Sequence, residues 1–69
     1  MRTRAEYRVD CFRLARARLN AGLTIRKAAR LIGVSRNMVV RWENNYAHPS
    51  RESLRRICEI YGVSLEDLK

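Results

Sequence analysis

Sixty-nine residues with fifteen Lys and Arg against seven Asp and Glu, a formal net charge of +8, make one small basic domain. A chain this short buries roughly 60% of the surface its unfolded form exposes, so its core has little to spare. No apolar run approaches the ~20 residues of a membrane span, no signal-peptide core follows the N-terminus, and the arginine-rich, lysine-poor balance suits phosphate and guanine better than a lipid surface.

In chain order, a first helix is predicted from about Tyr7 or Asp10 to Asn20. Cys11, Leu14, Ala17 and Ala21 form its inward stripe, Arg13 and Arg16 lie outside it, and Gly22 supplies the left-handed stop. Residues 1–9, with Arg2, Arg4 and Arg8, read either as a basic arm of the kind that enters a minor groove or as a frayed start of that helix. Thr24 is the N-cap of a second helix, Ile25 to Ile32, which ends at Gly33. Ser35 caps a third helix, which Asn44 and Asn45 close; both asparagines tolerate left-handed geometry. The loop from Tyr46 to Pro49 leads to Ser50, the cap of a fourth helix. That helix turns Leu54, Ile57, Cys58 and Tyr61 inward, leaves Arg55 and Arg56 solvated opposite Glu52 and Glu59, and stops at Gly62. Ser64 with Asp67 is an acidic variant of the capping box for a last helix, Leu65 to Leu68. No segment alternates with period two, so the expectation is an all-α, compact five-helix domain over residues 10–69.

The second and third helices keep step with one another. With Ile25 as the first helical position, Ala29 is the fifth, Gly33 the ninth, Val39 the fifteenth and Trp42 the eighteenth. A small residue, a turn glycine and two buried apolar residues at those places let two helices cross closely, which is a helix-turn-helix. No acidic residue occurs from Cys11 through Trp42, a stretch with eight basic ones. Arg26 and Lys27 sit in the first turn of the second helix and Arg36 opens the third, where the helix dipole disfavours cations by a few tenths of a kcal/mol each. Free N–H groups, a hydroxyl cap and an arginine together make an anion site, so Thr24 with Arg26 and Ser35 with Arg36 are read as phosphate-facing. Lys27 and Arg30 read either the same way or as a solvated basic surface.

Positions 36, 37, 40, 41 and 44 share one side of the third helix, away from Val39 and Trp42. Arg36 and Arg41 can grip O6 and N7 of guanine, and Asn37 can pair with N6 and N7 of adenine. Val40 suits a thymine methyl, and Met38 the same or sugar carbons. Arg36, Asn37, Met38, Val40 and Arg41 are therefore the candidate base readers, each good bidentate contact contributing ~1–3 kcal/mol of discrimination.

The run from Leu23 to Asn44, with Gly33-Val34-Ser35 and Glu43-Asn44 in it, followed by Pro49-Ser50 and Gly62-Val63-Ser64, resembles the phage repressor/Cro (XRE) helix-turn-helix family over about residues 10 to 69. The resemblance implies a lambda-repressor-like fold and a sequence-specific regulator of double-stranded DNA, most simply a repressor of phage or mobile-element type, on a palindromic operator. It implies phosphate contacts from Asn44, the loop at Tyr46, and Ser50 and Arg51 at the start of the fourth helix. It also implies a buried ion pair between Arg18 and Glu43. The chain departs from the family at Ile25, where a glutamine usually helps hold a phosphate and brace the reader helix.

Other chemistry finds little support. There is no Cys–His neighbourhood, paired-carboxylate pocket or phosphate-binding glycine loop, so no enzyme is expected, and a single histidine, His48, leaves no metal site or cofactor in prospect. Cys11 and Cys58, on different helices, read as reduced thiols and place the chain in the cytoplasm. Leu65, Leu68 and nearby apolar residues would make a weak homodimer that pairs on DNA, unless the chain is a DNA-binding fragment. The competing function is a protein-interaction module, antitoxin-like or an anti-regulator, which would need an apolar exposed face on the third helix.

Overall fold

The computed structural model describes residues 8–69, which form five α-helices in this order: α1 Cys11–Asn20, α2 Ile25–Ile32, α3 Arg36–Glu43, α4 Arg51–Tyr61 and α5 Leu65–Leu68. No strand occurs among the described residues. The expectations for Arg2, Arg4 and Tyr7 lie outside them.

Each helix begins where a side chain can satisfy backbone N–H groups that have no partner in the first turn. Asp10 accepts from the N–H of Phe12 and Arg13, so α1 starts at Cys11. The Thr24 hydroxyl accepts from Lys27, Ser35 from Met38, and Ser50 from Ser53. At α5 the capping box closes in both directions: Ser64 accepts from the Asp67 N–H and Asp67 accepts from the Ser64 N–H. Gly33 and Gly62 end α2 and α4 in the left-handed region, and Asn45, with φ of 64°, turns the chain after α3.

The core gathers Leu14 and Ala17 of α1, Ala28, Ala29 and Ile32 of α2, Val39 and Trp42 of α3, Leu54, Ile57 and Tyr61 of α4, and Leu68 of α5. Ala28 and Ala29 leave little side chain between α2 and its neighbours, so α3 and α4 both pack closely on α2. Val9, ahead of α1, is also buried, and the Asp10 N–H donates to the Leu68 carbonyl at 2.7 Å, tying the start of α1 to the end of α5.

Three sequence-based expectations need correction. Ala21 is exposed, because it is the C-cap of α1 and the helical stripe has ended by then. Leu68 is fully buried, so it cannot face a second copy, and Leu65 is half-buried against the core. Arg56 is not simply solvated: its Nη1 donates to the Ile32 carbonyl at 3.1 Å and its Nη2 lies 3.7 Å from Glu52.

Candidate nucleic-acid interface

The third helix sorts its residues by face. Val39 and Trp42 are buried, whereas Arg36, Asn37, Val40, Arg41 and Asn44 are exposed together. Met38 is half-buried and packs against the core, which places it at the margin of this face rather than on it. Val40 is the apolar member, 39% exposed.

Beside this face stands the N-terminus of α2. Thr24, Ile25 and Arg26 from α2 line one groove with Arg36, Asn37 and Val40 from α3. The crossing of the two helices therefore puts two kinds of recognition within one concavity. One wall offers a helix start, a hydroxyl and an arginine, which suit a phosphate. The other wall offers base-compatible side chains. Neither α2 nor α3 has an acidic residue in its first turn, and the exposed Arg26, Lys27 and Arg36 add charge to the positive ends of both dipoles. The first turn of α4 is mixed: Arg51 is followed by Glu52. Ile25, where a glutamine is usual, is half-buried against the core beside this groove, so its side chain contributes packing and no hydrogen bond.

The remaining candidate phosphate ligands follow in the chain, from the C-cap of α3 to the start of α4. Asn44 spends its Nδ2 on the Val40 carbonyl at 2.8 Å, capping α3, and is itself exposed. Tyr46 is 82% exposed, with its backbone N–H donated to the Arg41 carbonyl. Ser50 and Arg51 are exposed at the start of α4.

What holds these parts in register is Arg18. Its guanidinium donates from Nε to Glu43 Oε2 at 2.7 Å, from Nη2 to Glu43 Oε1 at 3.1 Å, and from Nη1 to the Leu23 carbonyl at 2.7 Å. One side chain thus joins α1, the last residue of α3 and the residue just before the Thr24 cap. The pair is largely buried, at 11% and 8% side-chain exposure. The hydrogen bond to Glu43 raises the Arg18 pKa further, against the opposing cost of burial. Tyr61 lies close enough to feel both charges: its phenol is pushed up to about 12, chiefly by burial, with Glu43 reinforcing the rise and Arg18 opposing it. The Leu23 contact carries no sequence signal, since a backbone acceptor has no residue identity.

Five helices, with α2 and α3 crossing at a tight turn and a basic, polar face on the second of them, define a DNA-binding helix-turn-helix domain. A family model described as helix-turn-helix matches residues 14–68, most of the chain, and the chain belongs to that Cro/repressor-like (XRE) family of DNA-binding regulators. A search of curated proteins finds no match. Among the described residues no helix is long and apolar enough to cross a membrane, and no group of three or more His, Cys, Asp and Glu could hold a metal ion.

Proposed function

We propose that this chain is a sequence-specific regulator of double-stranded DNA that lays α3 in the major groove. The observation that carries the reading is the shared groove, in which the capped start of α2 adjoins Arg36, Asn37 and Val40. Arg36, Asn37, Val40 and Arg41 read base edges, with Met38 leaning on sugar carbons from the margin. Thr24, Arg26, Ser35, Asn44, Tyr46, Ser50 and Arg51 hold phosphates. Occupancy of a promoter is enough to block transcription, so repression is the simplest outcome.

Helix-turn-helix proteins read two-fold operators with half-sites about 10–10.5 base pairs apart or multiples of that. With Leu68 buried, little apolar surface remains on α5 for self-association, which favours two chains that pair on the operator over a dimer built on α5. The competing reading, a protein-docking α3, needs an apolar exposed face. This face presents two arginines and two asparagines around one valine.

Selecting bound duplexes from a random pool gives the operator and with it the test. Against that operator, Arg41→Ala should cost about 1–3 kcal/mol and relax preference at one base pair, while Arg26→Ala should weaken cognate and random duplexes alike. Equal losses of specificity from both variants would undo the division of roles, and a pool that yields no preferred sequence would reject sequence reading altogether.

A further inference from the structure

We propose that Arg56, on α4, is a positioning residue for sequence reading: it clamps the turn between α2 and α3 and so aims the reader helix. The inference rests on the DNA-reading function above, but its structural basis is independent of that function.

Both the Gly33 and Val34 N–H groups donate to the Ala29 carbonyl, at 2.8 and 3.0 Å. The chain leaves the helix there, and the Ile32 carbonyl at the end of α2 is taken by a side chain from another helix: Arg56 Nη1, at 3.1 Å. A cation at a helix C-terminus is favoured by the dipole, and a charged donor on a carbonyl is stronger than a neutral one. The same guanidinium lies over Gly33, since a Cβ built there would stand 3.2 Å from Nη1. Glu52, one turn earlier on α4, approaches Nη2 at 3.7 Å and limits where the head group can swing. That ion pair is more than half exposed and contributes little by itself; its use is to orient the fork that reaches Ile32.

The leverage follows from geometry. Arg36, Asn37, Val40 and Arg41 all follow the turn, on a helix of eight residues, about 12 Å long. A tilt of about 5° at its start moves its far end by about 1 Å, more than the roughly 0.5 Å that a bidentate contact tolerates. Phosphate contacts are broader in their demands, so a looser turn should damage base reading before it damages general affinity. Glu52 and Arg56 also follow Ser50 and Arg51 on α4, so the clamp ties a phosphate-holding helix start to the reader.

The test compares Arg56→Met and Arg56→Lys with the unsubstituted chain on the selected operator and on random duplex, across a salt titration. Arg56→Met should weaken operator binding about tenfold and random binding no more than about twofold, with the salt slope unchanged. Arg56→Lys, which keeps the charge but can reach only one of the two acceptors, should recover part of the operator affinity. In the free protein, the Gly33 and Val34 amides should exchange hydrogen faster in Arg56→Met, while those of α1 stay as they were.

Each other result overturns the proposal. Parallel losses on both duplexes with a slope shallower by about 0.9 would make Arg56 a phosphate ligand. A lower Tm with an unchanged operator-to-random ratio would make it structural only. Unaltered exchange at Gly33 and Val34 would remove the clamp whatever the DNA results. If instead the unsubstituted chain prefers no sequence while those amides do respond, the clamp stands and it is the DNA-reading function, with the role of Arg56 in it, that falls.

Discussion

Replacing Glu43 by alanine would leave the Arg18 guanidinium, 11% exposed, with the Leu23 carbonyl as its remaining acceptor among the contacts described. An uncompensated buried charge of this kind typically costs about 3–5 kcal/mol, against the roughly 5–15 kcal/mol that stabilises a whole domain. Glu43→Ala should therefore lower Tm by at least about 12 °C or unfold the domain outright, as a thermal melt followed by circular dichroism would report. The double variant Arg18→Met, Glu43→Leu removes both charges and should be less damaging than Glu43→Ala alone; an unchanged Tm in the single variant would mean that the pair holds nothing. Tyr61 gives a second residue-scale prediction. Its phenol ionises near 10 when unfolded and is pushed up to about 12, chiefly by burial, so the folded state keeps a proton that the unfolded state gives up. The stabilisation is whole below pH 10 and is lost as pH rises from 10 to 12, by about 2–3 kcal/mol. Urea midpoints at pH 9 and pH 11 should fall accordingly, and Tyr61→Phe should flatten that fall; parallel declines in both proteins would assign it elsewhere. Of these contacts, the residues of the ion pair were legible only through resemblance to a family, because partners 25 positions apart leave no local periodicity. For Arg56 the expected exposed pairing with Glu52 is present, but its bond to the Ile32 carbonyl leaves no sequence signal, because that acceptor is backbone.

At the scale of the element, the helices were legible because each boundary is a local event. Thr24, Ser35, Ser50 and Ser64 announce their caps by residue type, and in the structure each accepts the N–H that the pattern required. The stripe of α1 was extended one turn too far, to Ala21, because apolar spacing continues past the point where the backbone leaves the helix. The α2–α3 turn is where element geometry and function meet, and its glycine can be compared with another. Gly33 and Gly62 share the left-handed conformation, at φ of 92° and 73°. An alanine at Gly62 would meet nothing within 4 Å, whereas one at Gly33 would meet Arg56 Nη1 at 3.2 Å. Both substitutions carry the backbone penalty, about 1 kcal/mol or more. Gly33→Ala also pushes on the guanidinium by a few tenths of an ångström, so if the Ile32 bond holds Arg56 in place it should be the more destabilising of the two in chemical denaturation. Equal costs would show that Arg56 moves aside freely, and would weaken its assignment as a clamp.

For the whole molecule, the distribution of charge matters more than its sum. Glu43 is occupied by Arg18, while Glu66 and Asp67 sit on α5, which packs against α1 and α4. On α2 and α3 the exposed Arg26, Lys27, Arg30, Arg36 and Arg41 face no exposed acid of either helix, so the α2–α3 side is a nearly unmixed positive field. Such a field attracts any duplex, and it is the face of α3 that must distinguish one from another. Salt separates the two contributions. If five or six basic groups displace counterions from phosphates, log K should fall against log salt with a slope of about −4.5 to −5.4 for each bound chain. Arg26→Ala should make the slope shallower by about 0.9, because a cation leaves the phosphate. Ser35→Ala should weaken binding and leave the slope where it was, since a hydroxyl releases no ion. Fluorescence anisotropy on a labelled operator from 50 to 400 mM salt would read both (roughly one decade, enough to fix such a slope). A slope near zero would show that the positive face meets something other than a phosphate backbone, whereas equal slopes for Arg26→Ala and Ser35→Ala would mean that Arg26 points into solvent and the capped start of α2 holds its phosphate by N–H groups alone.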